Sequence, residues 1–595
     1  MALTILDLGE DVLISEICTY LYPEEIFKFF SLSKSLYEIF QNSSNVFQIL
    51  YNKKFTNNEN NYTLSLQQHL NWKQLFYLRC DKNQKVYTWG SPNGGRLGYT
   101  LKDVPPAHKS TVSQCVVHTP TNVEAFNGHL IVDIVATGFA FVFLSNAGEL
   151  WFSGADWKDF TGISTPGPIL TRDYRANPGA LALFTMANNQ NANVRSRRTI
   201  PTGVPPIPLM NRRYANDDDE GDGGDDTSTT PPAGPSGGSL PQGRRRLEPQ
   251  VQTEDPLIHP RPKIKETNYI SRLYLPPTEN NEQSDKRIVS ISAGRQHIVA
   301  LDDHNHIYTW DTGCKSNVGV KLDFPGLPSS ALVIKVAAGW NLSAALVEGY
   351  GLVVWYTRIG ITKEQFDRNE FKSEAKYFIV PFTKDDVVDF SVGCDYVMFI
   401  KKSDGKLYQT RFNVHSYATR EDPIGADEIR ERTHPMDNFN NWKASQTENI
   451  EFTTLNGCFN NFAVFTNHDQ VLLGNFNHLI HREDENEEGR NPIILDELQG
   501  QNIKSVVMGD YHYLALTTDG QVLSWGVEPD SCGCLGVGYK LNLKDRYPPD
   551  VVQLEGRAVN ILKPVPIKST GEKGKWVAIA AGGWHSGGIH VPIEE

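Results

Sequence analysis

Three histidines recur at one position of a repeated turn: His297, His512 and His585. Imidazoles that converge can hold zinc or move protons. These three stand in separate copies of a repeat, which spreads them apart, so they read as hydrogen-bonded structural side chains. Cys532-Gly533-Cys534 has the residue types of a metal or redox pair, yet it lies inside a Gly-x-Leu-Gly turn and reads as turn packing. The eight cysteines are sparse and show no zinc-finger spacing, which favours a reducing compartment. Asp302-Asp303 and Asp385-Asp386 fall where turns are expected, the ordinary place for solvated acids. No G-x-x-x-x-G-K-[ST] phosphate loop occurs, and no G-x-S-x-G sits where a strand gives way to a helix. The sequence therefore predicts no catalytic residue, no metal and no cofactor.

The elements around these residues form a repeat. Seven segments recur, at 131–154, 287–313, 332–356, 386–409, 449–476, 502–526 and 576–590. Each reads as strand, turn, strand, with a third strand after a second turn in all but the last. Val, Ile, Phe and Tyr fill the strands; Gly, Asp and Asn mark the turns. A glycine stands in the first turn of every copy: Gly138, Gly294, Gly339, Gly393, Gly457, Gly509 and Gly582. The shorter intervals between them cluster near the roughly 40–50 residues of a propeller blade, and the longer ones read as blades with loop insertions. The last copy stops before its third strand, and 85-KVYTWG-90 supplies an unaccompanied one near the start. Pairing the two closes a ring and removes its free edges. The fold class predicted is mainly β: a seven-bladed β-propeller over 83–595, with a small N-terminal all-α domain.

Trp89-Gly90…Gly95-Arg96-Leu97-Gly98, Trp525-Gly526…Gly533-Cys534-Leu535-Gly536 and Ala293-Gly294-Arg295-Gln296-His297 resemble the regulator of chromosome condensation repeat. The resemblance thins at 386–409 and 449–476, where the Trp-Gly strand has become Leu407-Tyr408 and Leu473-Gly474. Equivalent turns of a propeller gather on one face. Phe139, Arg295, Trp340, Asp510 and Trp584 follow the turn glycines there, and aromatic and arginine side chains anchor interfaces. They are the candidate client surface.

The stretch 155–285 interrupts the ring. It carries 216-NDDDEGDGGDD-226 and a Pro/Gly/Ser-rich run ending in Arg244-Arg245-Arg246, and it is expected to be largely disordered. Loops at 411–448 and 477–500 are further candidates for partner contact.

Residues 1–55 do not follow the strand pattern. Leu13, Ile17 and Leu21 form a helical stripe, and Pro23-Glu24-Glu25 opens a second helix. Ile26, Phe27, Phe29, Phe30 and Leu32 cover more than one stripe of that helix. Either the surplus meets another protein, or it packs on the propeller and on 62–80.

The run from Leu8 to Tyr51 resembles an F-box. Leu8, Leu21, Pro23, Leu32, Ser33, Lys34 and Phe47 fall in the family's places, while Gly9 and Leu36 depart from its usual Pro and Trp. The segment 71-NWKQLFYLR-79, within a connector at 56–82, is similar to the helix that trails many F-boxes. This resemblance implies docking on a Skp-type adaptor and, through it, on cullin and RING subunits. It assigns adaptor binding to Leu8, Leu13, Ile17, Leu21, Pro23, Ile26, Phe27, Phe30 and Leu32. An F-box joined to this propeller resembles the fungal SCF-associated factors. It implies a non-catalytic substrate receptor that carries a client protein to ubiquitination and proteasomal degradation. The alternative is nucleotide exchange on a small GTPase, or a scaffold for one, through the propeller.

Composition bounds these readings. Hydrophobic residues make up 39% and charged residues 21%, which excludes wholesale disorder. With 57 basic and 70 acidic residues the net charge is −13, the wrong sign for a protein held to nucleic acid by charge. Asp7, Glu10 and Asp11 are unsuited to a secretory signal, and no apolar run reaches the roughly 18 residues of a membrane span. The expected location is cytoplasmic and/or nuclear, with no nucleic-acid or membrane partner.

Overall fold

A three-strand unit cannot hide both of its apolar faces alone, so it must stack against copies of itself. The computed structural model meets that demand with seven sheets arranged as blades. It describes residues 12–18, 21, 23–55, 70–110, 116–154, 263–277, 286–311, 317–356, 361–412, 425–479 and 491–593. The innermost strands of blades 1 to 7 are Ile131–Ala136, Ile288–Ala293, Val333–Ala338, Val387–Val392, Phe452–Cys458, Ile503–Met508 and Gly574–Gly582. Each pairs antiparallel with the next strand in its blade, and in blades 1 to 6 the third strand follows in sequence.

Blade 7 is completed from the other end of the chain. Lys85–Gly90 pairs with His585–Pro592 from Lys85 opposite His590 to Gly90 opposite His585. Its other edge pairs with Val116–Asn122. The last blade is thus sewn shut by a strand that precedes the first, and no edge is left between them.

Every innermost pair carries a β-bulge near its start. The extra residues are Val132, Val289, Ile334, Val388, Thr453, Lys504 and Val577. A bulge adds twist and turns one side chain off the sheet. At the far end of the strands, the glycine turns bond from blade to blade. Gly138 N–H donates to the Arg295 carbonyl at 2.8 Å, Cys394 to Phe459 at 2.7 Å, and Asp510 to Gly583 at 3.2 Å. A Cβ on Gly294 would lie 2.1 Å from the Gly339 carbonyl oxygen, and one on Gly339 would lie 2.1 Å from that of Gly393. Glycine is required at these two positions by close backbone approach. Between the strands, Ala136, Ala293, Ala338, Val392, Gly457, Met508 and Ala581 narrow the axis to a cavity of about 40 Å³. That is room for two or three waters.

Three stretches read as loop or insertion are partly structural. Ile270–Leu273 is the fourth strand of blade 1, paired with Leu150–Ser153. The insertion expected over 155–285 to be largely disordered thus holds one strand at this end. Residues 155–262 and 278–285, with the acidic run and Arg244-Arg245-Arg246, lie outside the described residues. Within 411–448, Thr433–Pro435 pairs with Leu407–Arg411 as the outer strand of blade 4, flanked by helices Ala426–Glu431 and Asp437–Ala444. Within 477–500, Ile493 bridges to Leu473 of blade 5.

The N-terminal unit is helical. Val12–Ile17 is wound as a π-helix, wider than the 3.6-residue period its sequence suggests. Helices α1 (Pro23–Phe30), α2 (Lys34–Asn42), α3 (Ser44–Lys54) and α4 (Trp72–Arg79) follow. Ser33 caps α2 by accepting from Leu36 N–H, and Asn71 caps α4 by accepting from Gln74 N–H. Among the described residues no helix is long and apolar enough to cross a membrane.

Candidate functional site

The surplus of apolar residues in α1 is largely spent inside the helical unit. Phe40 is the hub: Phe27, Phe30 and Phe47 lie 5.3, 5.4 and 4.9 Å from it, ring centre to ring centre. Phe76 of α4 closes the cluster against Phe27 and Phe47. Leu13, Ile26 and Phe30 are buried. These three, expected to meet an adaptor, are instead buried in one hydrophobic core with Phe40, Phe47 and Phe76. Ile17, Leu21 and Phe27 are half-buried. Pro23 begins α1, its side chain lying outside the described residues, as does Leu8 altogether. Among the described residues, Leu32, 75% exposed, is the predicted contact residue left facing solvent. Tyr37 at 51% and Val12 at 41% are exposed on the same unit.

The unit is pinned to the propeller by a buried arginine. Arg79 Nη1 donates to the Tyr51 hydroxyl at 2.8 Å, and Nη2 to the Val132 carbonyl at 3.1 Å. Its guanidinium lies 4.5 Å from the Phe55 ring centre. Gln84 adds a bond to the Ile131 carbonyl at 2.9 Å. Nearby, Lys504 donates to the Val577 carbonyl at 2.9 Å. Burial pushes its pKa well down, with Arg79 adding to that and Asp133 opposing it. These contacts fall at the bulged starts of the inner strands, so the helical unit sits on the face opposite the glycine turns.

On the turn face, side chains from several blades stack in a row. Arg96 lies over Phe139 at 5.6 Å, Arg295 over Phe139 at 5.4 Å, and Arg295 over Trp340 at 4.1 Å. Trp340 packs against Phe459, ring centres 4.2 Å apart and planes tilted by 34°. Burial lowers the Arg295 pKa, with Asp510 opposing the shift; burial raises that of Asp510, with Arg295 and Arg96 opposing it. Four of the five predicted residues, Phe139, Arg295, Trp340 and Asp510, are thereby brought together. Trp584 is held separately, its carbonyl accepting from Ser91 N–H at 2.9 Å. Arg96 stood in a quoted motif, but its role was masked by the glycines around it. Phe459 was missed because the glycine of its copy stands one residue earlier: Cys458 pairs with Asn461 where Gly294 pairs with His297, so Phe459, not Cys458, takes the place of Arg295.

The remaining chemical candidates are structural. His297 Nε2 and Ser343 Oγ lie 2.9 Å apart, and His512 Nε2 and Ser586 Oγ 2.7 Å, each across a blade interface. His585 Nε2 reaches the Ala140 carbonyl at 3.2 Å. Burial pushes His297 and His512 down to about 3. The Cys534 carbonyl accepts from Trp89 Nε1 at 3.0 Å and from Ser586 Oγ at 2.9 Å, which makes the Cys-Gly-Cys turn a joint between blades 6 and 7. Asp302, Asp303 and His304 place three donor atoms within 4.8 Å, but Asp302 accepts from the His304 and His306 backbone as a turn acid does.

The Regulator of chromosome condensation (RCC1) repeat matches residues 503–534, in blade 6. The chain is 26% identical over 591 residues to SCF-associated factor 1 of Saccharomyces cerevisiae, with 88% of this chain and 85% of that protein covered. It is 26% identical over 307 residues to F-box protein pof9 of Schizosaccharomyces pombe, covering 51% of this chain and 58% of that protein. Among solved structures, Prp20p of Saccharomyces cerevisiae aligns over 91% of this chain and 97% of its own, at 12% identity and a TM-score of 0.47.

Proposed function

We propose, from the similarity of this chain to F-box proteins and to the RCC1 repeat, that it is the substrate-recognition subunit of an SCF-type ubiquitin ligase. The helical unit docks on a Skp-type adaptor, and through it on cullin and RING subunits. The turn face of the propeller holds the client protein. The observation that carries this reading is the placement of the two surfaces. The exposed flank of Leu32 and Tyr37 belongs to a unit fixed by Arg79 at the starts of the inner strands, and the aromatic–arginine row lies at their ends.

Such a receptor works by proximity. It contributes no bond-making residue; holding the client raises the effective concentration of its lysines near the charged ubiquitin-conjugating enzyme. A rigid seam serves this role, because a client held on a wobbling arm samples a larger volume and meets the donor less often.

Reconstitution tests the reading. Full-length protein mixed with adaptor, cullin and RING subunits should elute as one complex and support ubiquitin transfer to a client recovered with it. Failure to co-elute with the adaptor overturns the assignment. Acceleration of nucleotide exchange on a small GTPase, with no adaptor binding, would favour the alternative reading.

A further inference from the structure

In a chain of net charge −13, one groove runs against the overall sign. It lies at the outer rim where blades 6 and 7 meet and has a volume of about 490 Å³. Lys109, Arg546 and Lys568 line it, together with His118, Tyr539 and Val537, and no carboxylate is among its described lining residues. Lys540 and Lys544 stand on the same loop, which carries one acid, Asp545, among its cations, and Leu541 beside them is 61% exposed. The rim belongs to the turn face. Gly538 N–H donates to the His118 carbonyl at 3.0 Å, and Val117 pairs with Gly90, the residue opposite His585 at the turn end of the closing strand.

We propose that this groove binds an extended, carboxylate-rich peptide segment with an apolar anchor. The cations come from separate segments of chain: Lys109 from an outer strand, Arg546 from a short helix and Lys568 from the run after blade 6. Cations strung along a groove suit several single charges in a row. A phosphate is best met by arginine forks converging on one point, and here one arginine stands among lysines. Arg546 and Lys568 are exposed, so they attract an acidic segment at long range while the acidic body of the protein repels polyanions that must lie across a wider surface. Leu541, exposed on the loop between the lining residues Tyr539 and Asn542, supplies the apolar contact. As a statement about client chemistry the inference rests on the receptor reading; the binding itself does not.

The test is fluorescence anisotropy on the full-length protein, with a short labelled peptide of Asp, Glu and Ser around one Leu. Binding is expected to weaken about tenfold or more in Arg546→Glu/Lys568→Glu, by a smaller factor in Arg546→Gln/Lys568→Gln, and steeply between about 50 and 200 mM salt. Unchanged affinity in both variants overturns the proposal, as does equal binding of a Lys-for-Glu peptide. Preference for a phosphoserine peptide or a single-stranded oligonucleotide over the carboxylate peptide also overturns it. Adaptor binding by the same preparations separates the two readings. If it persists while peptide affinity ignores the charge reversals, the groove alone fails. If it is absent while peptide binding follows the groove, the receptor reading alone fails.

Discussion

The guanidinium of Arg79 donates to the Tyr51 hydroxyl at 2.8 Å, and with its other nitrogen reaches the Val132 carbonyl of blade 1. One side chain thus ties the last helix to the third and both to the propeller. Arg79→Met keeps much of the packing and removes both bonds, leaving a buried hydroxyl and carbonyl short of a donor. The expected cost is about 2–4 kcal/mol at the seam. Limited proteolysis should then release the N-terminal helices earlier while the propeller stays resistant. An unchanged digestion pattern would count against the seam.

Gly294 is predicted to be the least replaceable of the turn glycines. An alanine Cβ would stand 2.0 Å from His297 Cε1 and 2.1 Å from the Gly339 carbonyl oxygen. Backbone on one side and a buried ring on the other leave little room to relax, so Gly294→Ala should cost about 2–3 kcal/mol or more. Gly425→Ala, where a Cβ meets nothing within 4 Å, is the control. Equal melting temperatures for the two variants would contradict the packing argument.

Stability should fall on both sides of a mildly acidic optimum. Burial pushes His297 and His512 from 6.5 down to about 3. Their contribution is whole above about pH 6.5 and is lost as the pH falls toward 3. Glu528 has the opposite sign: burial raises it from 4.5 to about 7, so its contribution is whole below pH 4.5 and is lost as the pH rises through 7. Glu528→Gln should flatten the alkaline limb by up to about 3 kcal/mol and leave the acid limb in place. Thermal melts of both proteins across this range check it; parallel curves would refute the Glu528 assignment.

Phe139 and Trp584 are the turn-face residues best suited to a client test. Both are half-buried, whereas Trp340 is 4% exposed and wedged between Arg295 and Phe459. Trp340→Ala would lose about 3–5 kcal/mol of packing and confuse the result. Phe139→Ala/Trp584→Ala should prolong client half-life in cells with adaptor binding intact. Unaltered client turnover would remove this face from recognition.

What the sequence made legible follows from how local the physics is. Gly294 and its equivalents announce themselves because close backbone approach admits no side chain. Lys85–Gly90 was recognisable because a propeller cannot leave one blade open. The fate of Phe30 was not legible, since helical periodicity cannot tell which surface covers a greasy face; Phe40 of the next helix turned out to lie against it. Ile270–Leu273 was hidden beyond a long polar stretch that gives no pairing signal. The seven bulges leave no residue signature at all: Val132 and Lys504 occupy the same structural place.

The central claim is that the solvent-facing flank at Leu32 meets a Skp-type adaptor. Leu32→Asp/Tyr37→Asp alters two exposed side chains and should leave the melting temperature as it is. Titration of purified adaptor into wild-type and variant protein is the direct measurement. Affinity reduced about tenfold or more, with the fold intact, is the predicted result; equal affinity for the two proteins would contradict it.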